Sequence, residues 1–164
     1  LYGAGPFRMS QELNIDMVQS KKLIDNYFNT YSTIRDYIDK TLYEAKKDGF
    51  VKTFFGRKRN TSNLNSSVQR LVNAEKRAAI NMPIQGTASE IIKIAMINIK
   101  NLIEQEKLMS KLVLQVHDEL IFEVPEKEEK YMVELIKKEM ENSVKLNVPI
   151  VVDCKSGASW HDIH

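Results

Sequence analysis

The chain has 164 residues, 43% hydrophobic and 28% charged, which is ordinary for a globular protein and long enough for one cored domain or one piece of a larger chain. No apolar run approaches the roughly 18 residues of a membrane span, so no membrane partner is expected, and the lone Cys154 excludes an internal disulfide. A net charge of +2 does not by itself point to nucleic acid.

Leu rather than Met opens the chain, as expected of a fragment or a processed product, and the single cysteine suits a reducing compartment. Leu1-Tyr2-Gly3-Ala4-Gly5-Pro6 predicts a turn, because it lacks the Lys and Ser/Thr of a phosphate-binding loop. Phe7 to Leu13 predicts a short helix. Asp16 can cap a second, running through Met17, Leu23, Ile24 and Tyr27-Phe28. A third follows Ser32 or Thr33, with Ile34, Tyr37, Ile38 and Leu42 at helical spacing and Gly49 where a C-terminal stop belongs. Phe50 to Phe55 alternates as a short strand, and Gly56 starts the basic turn Arg57-Lys58-Arg59. Asn60 to Ser67 reads as an exposed loop. Its two glycosylation sequons are discounted in a chain without secretory features.

From about Val68 a helix carries Leu71, Val72, Ala74, Ala78 and Ala79 inward, with Arg70, Arg77, Asn81 and Gln85 as a polar stripe, the last three at spacings of four. Pro83 should break or kink it, with Thr87 as N-cap of the restart. Ile91, Ile92, Ile94, Ala95, Ile97, Ile99, Leu102 and Ile103 then surround a core helix. Lys111 to Leu114 and Ile121 to Val124 predict a hairpin. Glu126 to Val144 is an amphipathic helix burying Met132, Leu135, Ile136 and Met140. Pro149 to Val152 predicts a strand, and Trp160 anchors a polar tail. The sum is an α+β fold, helices around a small antiparallel sheet with the 111–124 hairpin at its centre.

Two features point toward chemistry. Residues 51–77 hold seven basic side chains (Lys52, Arg57, Lys58, Arg59, Arg70, Lys76, Arg77) against the single acid Glu75, a local balance of +6 suited to contacting phosphates. A solvated charged face is the plainer alternative. Between the hairpin strands, Gln115-Val116-His117-Asp118-Glu119-Leu120 places charge where a partnerless buried carboxylate would cost several kcal/mol. Such a tip offers its acids to a cation or a donor, or else leaves them solvated. Strand alternation sets Asp118 and Glu119 on opposite faces unless the turn twists them together, so Asp118 is the candidate metal ligand and Glu119 its helper.

Together these segments resemble the C-terminal part of the polymerase domain of family-A DNA polymerases, the bacterial DNA polymerase I type. The likeness runs from Leu1-Tyr2-Gly3 to Trp160-His161-Asp162-Ile163-His164. It is carried by Gln115–Leu120, which looks like that family's motif C, by Ala78-Ala79-Ile80-Asn81-Met82-Pro83-Ile84-Gln85-Gly86-Thr87-Ala88, and by Phe55-Gly56-Arg57-Lys58-Arg59. The resemblance implies template-directed addition of deoxynucleotides to a primer 3′ end, with two Mg2+ ions in the complete site. Its implied partners are primer-template DNA, deoxynucleoside triphosphates and the remainder of the polymerase chain. It implies that Asp118 ligates metal, that Glu119 contributes more weakly, and that Gln115 and His117 lie beside the primer terminus. Tyr2 matches a tyrosine against the template base, while Arg57 and Arg59 are candidate DNA contacts. Arg77, Asn81 and Gln85 match minor-groove contacts, where every Watson–Crick pair shows acceptors at nearly the same positions.

Residues 1 to about 80 then correspond mostly to fingers-side helices and a basic hairpin, and about 81 to 164 mostly to palm. The family's other metal-binding aspartate and its triphosphate-gripping Arg and Lys have no counterpart here, and neither do thumb or exonuclease domains. An inactive fragment of a DNA-directed DNA polymerase is therefore expected, cytoplasmic and nucleoid-associated in a bacterium or organellar in a eukaryote. Asp153, in the expected strand beside the hairpin, is a weak substitute ligand. Two rivals remain: a non-catalytic nucleic-acid-binding module, and a metal-dependent phosphohydrolase using His117, Asp118 and Glu119.

Overall fold

A computed structural model describes residues 5–163. Its helices are α1 (Pro6–Leu13), α2 (Met17–Thr30), α3 (Ser32–Asp48), α4 (Gln69–Gln105) and α5 (Glu129–Glu141). Its strands are β1 (Phe50–Lys52), β2 (Lys58–Asn60), β3 (Lys111–Val116) and β4 (Glu119–Glu123). The fold is α+β as expected, but its strands form two separate antiparallel pairs rather than one sheet. The chain divides into two compact units, with the division inside α4 between Thr87 and Ala88.

In the first unit the helix ends follow their sequence signals. The Asp16 carboxylate accepts from the Gln19 amide at 2.7 Å at the start of α2. Gly49 ends α3 in the left-handed region, φ 79°, where a residue without Cβ is unstrained. The buried Thr61 hydroxyl donates to the Ala45 carbonyl at 2.9 Å, an acceptor that also receives the Gly49 amide at 3.1 Å, and so ties residue 61 to the end of α3. Ala45, Val51, Leu64 and Ala79 form the core of this unit, with Leu42 and Met82 packed on it.

The predicted strand Phe50–Phe55 is shorter than expected, and the basic turn is partly strand. β1 stops at Lys52 because Thr53 turns the chain: its amide donates to the Arg57 carbonyl at 2.9 Å and its carbonyl accepts from Gly56 at 3.0 Å. Lys58 and Arg59 then pair with Lys52 and Val51 in β2.

The expected break at Pro83 is also corrected, since α4 runs through it without restarting. Proline lacks the amide that the Ala79 carbonyl would accept, yet Ala79 is fully buried and packing around it holds the helix. The Tyr37 hydroxyl reaches the neighbouring Ile80 carbonyl at 3.3 Å. Thr87 is not an N-cap: its hydroxyl donates back to the Pro83 carbonyl and accepts from the Phe54 amide at 2.9 Å.

In the second unit Ile99, Met132, Leu135 and Ile136 form the buried core, with Leu120, Phe122, Val124 and Met140 against it. α5 buries the residues expected of it, apart from a partly exposed Met140. Ile97, expected in the core, is 59% exposed, because a helix residue two positions from both Ala95 and Ile99 faces away from them. Residues 149–152 are irregular rather than a strand. The Val152 amide is taken by the Glu141 carboxylate at 3.1 Å, leaving no ladder bond there. Trp160 is 48% exposed and does not anchor the tail by burial.

Candidate functional site: a carboxylate-tipped hairpin and a polar helix face

β3 and β4 pair from Lys111 opposite Glu123 to Val116 opposite Glu119, leaving His117 and Asp118 as a two-residue connection. Val113 is extra in the ladder, since Leu112 faces Phe122 while Leu114 already faces Ile121. His117 has φ 53°, the left-handed conformation that tight hairpin connections require. The Gln115 side-chain amide donates to the His117 carbonyl at 2.9 Å and so fixes the turn from within. Gln115, His117, Asp118 and Glu119 are all exposed.

The tip is therefore a solvated one, and its carboxylates need no buried partner. Asp118 lies in the connection and Glu119 opens β4, so the strand alternation expected to separate them does not apply. Their oxygens are hard donors of the kind Mg2+ prefers, and among the described residues no further His, Cys, Asp or Glu joins them to form a three-residue metal cluster. Asp153 is exposed in an irregular stretch. The hydrolase alternative thus finds no ligand set among the described residues.

The hairpin's base is held by a residue that sequence reading missed. The Glu128 carboxylate accepts from the Met109 amide at 3.0 and 3.1 Å, the Ser110 amide at 3.0 Å and the Ser110 hydroxyl at 2.7 Å. The Ser110 hydroxyl, then the Met109 amide, hold the Glu128 carboxyl below its ordinary value of 4.5. Nothing in the local pattern of Glu126-Lys127-Glu128-Glu129 distinguishes the acid that turns back to residues 109–110.

In the other unit, Arg77, Asn81 and Gln85 occupy one face of α4, each four residues from the next, on a helix uninterrupted at Pro83. Arg77 and Gln85 are exposed and Asn81 is half-buried. At 1.5 Å per residue the stripe covers about 12 Å, some three or four steps of a nucleic-acid strand at about 3.4 Å each.

The basic hairpin β1–β2 is less uniformly available. The Arg59 guanidinium pairs with Glu75, a carboxylate whose side chain retains 5% exposure against 40% for Arg59. Glu75 is the single acid of the basic zone, and the sequence does not say which of the seven cations it takes. Arg57 is exposed. Tyr2 lies outside the described residues.

The model of DNA polymerase family A matches residues 1–162. The chain belongs to DNA polymerase family A. It is 38% identical over 162 residues to DNA polymerase I of Caldicellulosiruptor bescii, covering 99% of this chain and 19% of that one. It is 42% identical over 160 residues to the thermostable DNA polymerase I of Thermus filiformis, covering 98% and 19%. Among solved structures it is similar to the POL domain of Pol1 from M. smegmatis in complex with DNA primer-template and dNTP. That match has a TM-score of 0.87 and 40% identity, and covers 90% of this chain and 26% of that one. The chain thus spans about a fifth of the length of the curated relatives it matches. No described helix is long and apolar enough to cross a membrane.

Proposed function

We propose that this chain is the part of a DNA-directed DNA polymerase that presents the motif C carboxylates to the primer terminus and senses the nascent duplex. The observation that carries the reading is Asp118, exposed in a hairpin connection that Gln115 holds in shape, within a chain matching family A across residues 1–162. Asp118, with weaker help from Glu119, would hold Mg2+ together with carboxylates supplied elsewhere in the complete polymerase. When bound, such ions supply Lewis-acid charge stabilisation at the 3′ oxygen and the leaving pyrophosphate.

The chain's own residues do the rest. Gln115 keeps the turn shaped so that Asp118 stays forward, and His117 lies beside the primer end. Arg77, Asn81 and Gln85 donate to minor-groove acceptors that all correct pairs share, so they sense pair geometry without reading sequence. Deoxynucleoside triphosphates and a templating strand are the substrates, and the triphosphate clamp belongs to the remainder of the polymerase.

Primer extension with Mg2+ tests this, comparing the complete polymerase with the purified 164-residue chain. The complete protein should extend a primer. The isolated chain should neither extend it nor bind deoxynucleotide tightly. Robust extension by the isolated chain would overturn the division of labour, and no extension by the complete protein would favour the non-catalytic binding module.

A further inference from the structure

Phe54 and Phe55 sit at the apex of the β1–β2 connection with 64% and 42% of their surfaces exposed. Two adjacent large aromatics in water cost solvation that a solvent-facing turn would avoid by using polar residues. The apex is also tied down by hydrogen bonds. Besides its backbone bonds across the turn, the Thr53 hydroxyl accepts from the Arg57 amide at 3.0 Å, and the Phe54 amide is tied to Thr87 on α4. Gly56 turns the chain at φ 90°. The two rings meet edge to face, centroids 5.2 Å apart at 83°, and so form a corner of two exposed ring surfaces.

The hairpin that carries the corner is basic along its own sequence. No acid occurs between Asp48 and Glu75, and Lys52, Arg57 and Lys58 flank the rings on the same hairpin. Lys58 itself stands 4.2 Å over the Phe50 ring, which keeps its charge at the hairpin surface. Exposed ring faces interleaved with cations are the combination that takes single-stranded nucleic acid, with bases stacking on the rings and phosphates meeting the cations.

We infer that the Phe54–Phe55 corner with Lys52 and Lys58 is a stacking site for unpaired nucleotides, made of residues other than those of the Asp118 hairpin and of the Arg77–Gln85 stripe. The inference rests on the reading of this chain as a DNA-handling protein and deepens it by giving the single strand its own contact. The corner is sequence-tolerant, because every base has a π face on which an exposed ring can stack.

The test is fluorescence anisotropy of the 164-residue chain with a labelled 12-nucleotide oligo-dT, its abasic counterpart, and a blunt duplex, over a series of salt concentrations. Phe54→Leu and Phe55→Leu keep apolar bulk but remove the π face, and both positions are exposed, so circular dichroism should stay unchanged. Each should weaken oligo-dT binding roughly tenfold, with the abasic strand and the duplex unaffected. Lys52→Ala should weaken oligo-dT and the abasic strand alike and make the salt dependence shallower. If the chain binds oligo-dT and the leucine variants bind it as well as wild type, the stacking site is wrong while the DNA reading stands. If the chain binds neither single strand nor duplex at low salt, the DNA reading of this surface fails and the inference falls with it.

Discussion

Arg59→Ala is the substitution whose cost follows most directly from the structure. It strands Glu75, whose side chain keeps 5% exposure and has Arg59 as its charge partner. Removing one member of a buried pair costs about 3–5 kcal/mol. Because 40% of the Arg59 side chain is in water, solvent can enter behind it, and the expected loss falls to about 2–3 kcal/mol. That is a large share of the roughly 5–15 kcal/mol that holds a domain folded. Arg70→Ala, at an exposed position in the same basic zone, should stay within about 0.5 kcal/mol. Urea denaturation followed by circular dichroism reads both, with unchanged m-values as the check that the transitions are comparable. The double variant Arg59→Met, Glu75→Leu should recover most of the loss, because neither charge is left buried alone. If Arg59→Ala is no more damaging than Arg70→Ala, the pair carries no stability and Arg59 is free to serve phosphate.

Arg77→Ala in the complete polymerase should lower kcat/KM roughly ten- to a hundredfold, the equivalent of a lost charge-assisted bond of about 1.5–3 kcal/mol. It should change matched-versus-mismatched discrimination but not preference among correct pairs. Replacing purine N3 by carbon at the primer end should be non-additive with Arg77→Ala or Gln85→Ala, and full additivity with both would remove the minor-groove role. Glu128→Gln should destabilise the second unit at neutral pH. Since the folded Glu128 carboxyl lies below 4.5, its contribution is present above that value and lost as pH falls through the lower folded value. The gap between wild type and Glu128→Gln in urea midpoint should therefore close in acid, and a gap independent of pH would contradict the clamp.

Much of this was legible in sequence because it is local. Asp16, Gly49 and the two apolar runs flanking His117-Asp118 act through neighbouring backbone, and the structure uses each as its chemistry suggests. What failed depended on distant partners. Pro83 looked like a breaker because its neighbours do not reveal the packing at Ala79 or the Tyr37 hydroxyl from α3. Residues 149–152 had strand composition, yet composition cannot supply a pairing edge, and Glu141 takes the Val152 amide. The place of 115–119 between two apolar runs and the spacing of 77, 81 and 85 on one helix face were readable in the sequence, while the roles proposed for them come from the family resemblance. The engagement of Arg59 with Glu75 was not readable, since a side chain sixteen residues away decides it.

Single-turnover primer extension by the complete polymerase carrying Asp118→Asn, beside Glu119→Gln, tests the central claim most directly. Asparagine keeps size and hydrogen bonding at the hairpin tip but removes the ligand charge. The account predicts a rate lower by about several orders of magnitude for Asp118→Asn, with primer-template affinity largely kept, and a distinctly smaller loss for Glu119→Gln. Equal losses at the two positions, or near-normal extension by Asp118→Asn, would contradict it.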